Sequence, residues 1–226
     1  MGSVEISEGS IIIRSHVITY GQAATQELTE QIRSEIDFMW NEPEAVVRVD
    51  GTDFPVKFVI TAEYRADLSE MEVIQNTDPK NNYFRIENFS NEHISFVDGL
   101  GCNTGYFKKD NLLPGWTTAA HEYGHTLGLS HPRHLDIRGQ GVPGIMYPRG
   151  TLVDPSYQYD PTIPAGQRGG TMHPMHRKVR QADIDALRLD RIIKEESMKM
   201  VGAFTNVYHW DHGESMGGFS GAPIAG

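Results

Sequence analysis

One eleven-residue run, HEYGHTLGLSH at positions 121–131, combines three imidazoles, one carboxylate and a glycine at fixed spacings. His121 and His125 are four residues apart, so on a helix they lie one turn apart and can reach one metal ion. Gly128 can adopt the left-handed conformation that ends a helix, which lets His131 approach the same ion from another direction. Three protein ligands leave a fourth zinc position open for water, as in catalytic zinc sites.

Glu122 lies beside the first predicted ligand but points to the side on a helix, so it can deprotonate a water without binding the metal. The spacing therefore predicts a hydrolytic zinc site with Glu122 as general base. His134 is a rival ligand, although the motif spacing favours His131. Cys102 is the one cysteine of the chain, so no intrachain disulfide is possible. It is either a small buried hydrophobe or a thiolate that caps the zinc in a latent form.

A second element, GIMYP at 144–148, places a methionine in a predicted tight turn. A long histidine motif followed by such a turn is typical of metzincins. The chain resembles the metzincin clan of metallopeptidases, and within it the matrixins most closely, over about residues 117–187. AAHEYGHTLGL at 119–129 is similar to the matrixin zinc helix, IMYP at 145–148 to the Met-turn, and QADI at 181–184 to the start of the C-terminal helix.

The resemblance implies an α+β (mixed α/β) zincin fold, with a twisted N-terminal sheet, a zinc helix and an irregular lower lobe that carries the Met-turn and a C-terminal helix. It implies one catalytic zinc ion and hydrolysis of peptide bonds by a water that the metal activates. The site residues that it implies are the zinc ligands His121, His125 and His131, the general base Glu122, the hydrophobic floor Met146, and the substrate-pocket residues Tyr147 and Pro148.

The chain also departs from the matrixin pattern. No segment resembles the matrixin loop that binds a structural zinc ion and calcium ions, and the stretch between His131 and Met146 is longer than in typical matrixins. No tyrosine stands two residues after Met146, so the tyrosine ligand of related families is not expected. Calcium at Asp154 or Asp160 is a possibility that no complete calcium-loop pattern supports.

Two further histidine pairs have the i, i+3 spacing that one ion could bridge on a helix. They are His173 with His176 and His209 with His212. A second metal site is the functional interpretation of these pairs, and solvated histidines are the simpler one.

Length and composition fit one globular domain: 226 residues, 38% hydrophobic and 22% charged. We expect a single catalytic domain over 1–226, with an upper lobe to about 131, a lower lobe over about 132–210 and a Gly-rich tail over 211–226 that is mobile at its end. The net charge of −10 argues against a nucleic-acid partner. No apolar run reaches the length of a membrane-spanning helix.

The beginning of the chain lacks the basic and apolar regions of a signal peptide. The family resemblance nevertheless implies secretion or export. A leader or a larger parent protein that was removed would reconcile the two expectations, and so would export by another route.

Hydrophobic periodicity and β-branched runs predict the elements around the motif. Three helices are predicted. The first is capped by Thr25 and runs to about Trp40, the second is the zinc helix within Trp116–Leu129, and the third runs from Val179 to about Lys199. The predicted strands are Ile11–Thr19, Val46–Val49, Val56–Glu63, Tyr83–Ile86, Ile94–Val97 and Gly105–Lys108, while Ala66–Ile74 is ambiguous. Prolines and glycines recur over 132–174, which indicates a functional loop along the lower side of the cleft.

The leading function is a zinc-dependent endopeptidase whose protein or peptide substrate lies as an added strand against the sheet edge above the cleft. One alternative is a proteolytic toxin or effector domain cut from a larger protein, which predicts a dedicated protein inhibitor. A catalytically silent, zinc-stabilised peptide-binding module is the other alternative, and the presence of Glu122 argues against it. Whether the 132–174 loop blocks or recognises substrate is left open.

Overall fold

The computed structural model describes residues 1–194 and 199–213. The helices and strands within these ranges are β1 (Gly2–Ser7), β2 (Ser10–Tyr20), α1 (Gln26–Asn41), β3 (Val46–Val49), β4 (Thr52–Tyr64), α2 (Glu70–Ile74), β5 (Asn81–Glu87), β6 (Phe96–Val97), β7 (Thr104–Lys108), α3 (Thr118–Thr126), α4 (Gln181–Ala186), α5 (Leu189–Ile192) and β8 (Met200–Val201). One sheet with few helices fits the predicted α+β class.

The sheet is built around β2, whose β-branched residues form its buried centre. The strand order is β3-β4-β2-β5-β7-β6, with parallel pairing of β2 with β4, β2 with β5, and β5 with β7. The antiparallel strands β3 and β6 lie at the two ends of this order. All six predicted strands are confirmed. Two strands were not predicted: β1 forms a hairpin with the first half of β2, and β8 pairs with β1 from a distant part of the chain.

Helix α1 begins where the sequence predicts, because the Thr25 side chain accepts a hydrogen bond from the Leu28 N–H at 3.2 Å. Its apolar residues recur on one face, which packs on β2 and β4. The buried residues of this face are Thr29, Ile32, Ile36, Met39 and Trp40.

A cluster of three rings holds helix α3 against α1 and the sheet. The Trp40 ring lies 5.2 Å from Phe58 on β4 and 5.5 Å from Tyr123 on α3. The Trp40 Nε1–H donates to the Ala120 carbonyl at 3.1 Å, and the Tyr123 hydroxyl pairs with Ser15 Oγ at 2.7 Å. Buried rings whose polar atoms are all paired fix α3 relative to the sheet.

The predicted loop over 132–174 contains a small core of its own. Its chain is held by isolated bridges, among them Asp136 with Leu152 and Gln158 with Met172. The side chains of this core are Ile137, Val153 and Met172, with Tyr147 and Tyr157 packed against them. The segment is therefore irregular, and its bridges and small core hold it in place.

The single helix predicted from Val179 to about Lys199 is wrong. Arg188 adopts the left-handed conformation, with φ of 54°, and separates α4 from α5. Leu187 and Leu189 are both buried, whereas a continuous helix would point them to nearly opposite sides. The break lets both side chains enter the core, and residues 195–198 lie outside the described ranges.

The last described segment, which was predicted as part of the lower lobe to about 210, returns to the sheet. After β8 the chain stacks Tyr208 on Tyr20, with ring centroids 5.1 Å apart, and His212 on Tyr106, with centroids 3.9 Å apart. The predicted mobile end of the tail, residues 214–226, lies outside the described residues. Within the described ranges, no helix has both the length and the apolar character to cross a bilayer.

Candidate metal centre and cleft

Helix α3 receives its N-terminal cap from another helix. The Glu35 carboxylate on α1 accepts the Ala120 N–H at 2.9 Å, whereas the Thr117 hydroxyl donates to the Pro174 carbonyl instead. Burial raises the pKa of Glu35 to about 7, although its backbone hydrogen bonds oppose the shift. Gly128 has φ of +95° and ends the helix as predicted.

Hydrogen bonds to carbonyl oxygens orient the first two predicted ligands. His121 Nδ1 donates to the Ile145 carbonyl and His125 Nδ1 donates to the Leu129 carbonyl, both at 2.7 Å. A carbonyl oxygen only accepts, so each Nδ1 carries the proton and each Nε2 presents a lone pair. This is the tautomer that a metal ligand requires.

The three predicted histidines converge through their Nε2 atoms. His131 Nε2 lies 3.0 Å from His121 Nε2 and 3.1 Å from His125 Nε2. Three nitrogens bound to a tetrahedral zinc ion at about 2.0–2.1 Å would lie about 3.3 Å apart, a few tenths of an ångström more. The lone pairs of His121 and His125 face the same point, so a cation there would satisfy both. The donor set therefore fits a zinc ion.

The protonation behaviour of the cluster also suits a metal. Burial lowers the pKa of His121 and of His125. Partial burial, together with the nearby His125 and Arg177, lowers the pKa of His131 to about 4. All three imidazoles are therefore neutral near pH 7, and a metal need not displace protons to bind.

Other candidate ligands do not join this cluster. Across residues 1–194 and 199–213, His121, His125 and His131 are the one group of three or more His, Cys, Asp or Glu side chains that converge closely enough for one ion. His134 is exposed, and Cys102, which is half-buried, does not line the cleft.

The remaining candidate pairs have other contacts. His173 Nδ1 accepts the Met175 N–H at 3.2 Å, and His209 pairs with Asp98 at 2.9 Å. The calcium candidates fasten turns of their own loop. Asp154 accepts the N–H of Gly139, and Asp160 accepts the N–H and hydroxyl of Thr162.

The predicted Met-turn lies directly beneath α3. The Tyr147 N–H donates to the Gly144 carbonyl at 3.2 Å and closes the turn, while Met146 is buried at 3% exposure. A methyl group added at Gly124 would overlap the Met146 sulfur. Glycine at this position, one residue before His125, therefore lets the helix and the Met-turn approach closely.

The histidines open into a cleft of about 290 Å³. Its lining residues are Ile94, Ser95, Phe96, Val97, Asn111, Thr118, His121, Glu122, His125, His131, Pro148, Arg149 and Arg177. Pro148 thus lies where it was predicted, whereas Tyr147 packs into the small core of the 132–174 segment and is not among the lining residues. Burial raises the pKa of Glu122 to about 8, and the nearby Arg177 and Arg149 oppose the shift.

The motif analysis missed several polar residues of this cleft, among them Asn111, Thr118, Arg149 and Arg177. They belong to no local pattern, since the fold brings them together from the turn after β7, from α3, from the segment after the Met-turn and from the segment before α4. Comparison of the sequence with protein-family models and with curated proteins finds no match. The function is therefore inferred from the geometry of these residues.

Proposed function

We propose that this chain is a zinc-dependent endopeptidase of the metzincin type. The observation that carries the proposal is the convergence of three Nε2 atoms, 3.0 and 3.1 Å apart, in an open cleft that also contains the carboxylate of Glu122. Three imidazole ligands with a neighbouring carboxylate are the combination used for metal-assisted hydrolysis.

A bound zinc ion would lower the pKa of water towards about 7 and polarise the scissile carbonyl. Glu122 takes the proton of the attacking water and then donates it to the leaving amine. Glu122 is 7% exposed and lines the cleft beside the histidines, so its carboxylate is held within the site and away from bulk solvent. The hydrogen bonds from His121 and His125 to backbone carbonyls keep both rings oriented throughout.

The substrate in this proposal is an extended peptide. β6 is the strand at the cleft end of the sheet, where it pairs on one side with β7. The residues from Ile94 to Val97 line the cleft together with the histidines. A peptide that pairs with the open side of this strand would place one carbonyl beside the metal site.

A peptide library tests the proposal against its alternatives. Wild type, Glu122→Ala and the exposed control Glu70→Ala would be loaded with zinc, analysed for metal content, and incubated with mixed peptides that are read by mass spectrometry. We expect one zinc ion per chain in all three proteins and cleavage by wild type and Glu70→Ala only, with loss of cleavage on chelation and recovery on zinc addition.

Three results would contradict the proposal. Full activity of Glu122→Ala would exclude the glutamate as general base. Zinc binding without cleavage of any peptide would favour the silent peptide-binding module. Failure to bind zinc would overturn the metal site. The effector-domain alternative, its dedicated inhibitor and the export of the protein stay predictions.

A further inference from the structure

Most of the buried polar side-chain atoms that lack hydrogen-bond partners in the described residues belong to residues of the cleft. The described residues contain four such side-chain atoms, and three of them belong to cleft residues: Asn111 Nδ2, Thr118 Oγ1 and Arg177 Nε. Native proteins rarely leave buried polar groups unpaired, because each lost hydrogen bond has a cost in stability. Two of the three atoms are donors and the third is a hydroxyl, so together they fit an acceptor from outside the chain.

These atoms lie close to the proposed chemistry. Thr118 is three residues before His121 and four before Glu122 on α3, so the three side chains share one face of the helix. Asn111 Oδ1 accepts a hydrogen bond from Arg149 at 2.7 Å, which leaves its Nδ2 available. Arg149 is further held by Trp116, whose ring centroid lies 4.9 Å from the guanidinium carbon.

The same region carries two positive charges. Arg177 is only 3% exposed, which is rare for a guanidinium without a bound anion. The acidic groups that act on it, Glu122 and Glu35, do so through space and not through a hydrogen bond. Glu35 is engaged with the Ala120 N–H, and Glu122 is reserved for proton transfer in the proposed function.

We propose that Arg177, Arg149, Asn111 and Thr118 form a specificity pocket for a substrate carboxylate, provided by an Asp or Glu side chain next to the cut bond on the Pro148 side. This inference rests on the proposed endopeptidase function. A carboxylate offers two oxygens that accept several hydrogen bonds, and a planar guanidinium binds it in a fork geometry. A neutral side chain of the same shape would leave the two positive charges uncompensated.

A series of matched peptides tests the pocket. The peptides would differ only at the first residue after the cut bond, which would be Asp, Glu, Asn, Gln or Leu. We expect wild type to favour Asp or Glu over the matching amide by a factor of about 10 to 100 in kcat/KM, the range of a charge-assisted hydrogen bond. Arg177→Gln should lose this preference, read within the variant as the ratio of kcat/KM for the Asp peptide over the Asn peptide, and Arg149→Gln should reduce it.

Two controls separate specificity from folding. Arg48→Gln removes an equally charged side chain that is 71% exposed on β3, and it should keep the preference. Arg177→Lys keeps a positive charge without the fork, and it should retain part of the preference. Equal cleavage of Asp and Asn peptides by wild type, or an unchanged preference in both Arg177→Gln and Arg149→Gln, would overturn the pocket.

A binding measurement keeps the pocket testable if no peptide is cleaved. Zinc-loaded Glu122→Ala would be titrated with the fluorescently labelled Asp and Asn peptides, and tighter binding of Asp that Arg177→Gln abolishes would support the pocket. Equal binding would overturn it, whether or not the peptidase proposal stands. Peptides with a free or an amidated C-terminus distinguish the source of the carboxylate. If the preference appears only in peptides with a free C-terminus, the carboxylate is not that of a side chain and the assignment is overturned.

Discussion

The Gly124→Ala variant tests whether the close packing of α3 on the Met-turn is needed for stability and for zinc binding. The added methyl group would overlap the Met146 sulfur and lie 3.2 Å from Trp40 Cζ2. Both neighbours are buried, at 3% and 1% exposure, and have little room to move. The variant therefore forces α3, the turn or both to shift beside His125.

The expected magnitude combines two opposing terms. Replacement of glycine by alanine inside a helix stabilises by up to about 1 kcal/mol. An added methyl group in a packed core costs typically about 1–3 kcal/mol. The overlap with the sulfur places the cost towards the upper part of this range, so we expect a net destabilisation of about 1–2 kcal/mol. Weaker zinc binding should accompany it, because α3 carries two of the three ligands.

Urea unfolding of the zinc-free protein would measure the stability, and competition with a chelator would measure the zinc affinity. Gly150→Ala is the matched control, because an added methyl group there meets no atom within 4 Å, and its effect should stay within about 0.5 kcal/mol. In a Met146→Ala background the overlap with the sulfur is gone and only the contact with Trp40 remains, so the destabilisation caused by Gly124→Ala should shrink. The reasoning is refuted if the single variant Gly124→Ala, which retains Met146, is as stable as wild type.

Two further predictions concern protonation. The pKa values of His121 and His125 are lowered and that of His131 is about 4, so the loss of zinc affinity on acidification should be centred below the usual imidazole pKa of about 6.5; a fall centred near pH 6.5 in a competition titration would contradict this. The pKa of Glu35 is raised from 4.5 to about 7, so its stabilising contribution is present below pH 4.5 and is lost as the pH rises through about 7. In urea unfolding of the zinc-free proteins, the free energy of unfolding of Glu35→Gln relative to wild type should therefore rise by roughly 1–3 kcal/mol as the pH rises from about 5 to about 8. A difference between the two proteins that does not change with pH would exclude this titration.

The sequence could predict the convergence of the three histidines because their geometry is local. Helical periodicity alone places His121 and His125 on one face, and the conformational freedom of Gly128 explains how His131 reaches the same point. Thr25 likewise marks the start of α1 by a hydrogen bond within its own turn. Sequence patterns therefore predict the bounds of such locally specified elements to within a few residues.

Features that depend on distant partners were not predictable in this way. Arg177 enters the cleft from a segment without a recognisable pattern, and Glu35 caps α3 from a different helix. The helix break at Arg188 has no proline or glycine to mark it, and it accompanies the burial of both Leu187 and Leu189 in the core. In each of these cases, tertiary packing decides the outcome.

All the chemistry proposed for this chain requires one zinc ion with a position left for water. X-ray absorption at the zinc edge of the reconstituted protein tests this directly. We predict three nitrogen ligands and one oxygen ligand at about 2.0–2.1 Å, with one zinc ion per chain. A sulfur ligand from Cys102, a fourth imidazole such as His134, or zinc well below one ion per chain would contradict the catalytic centre described above.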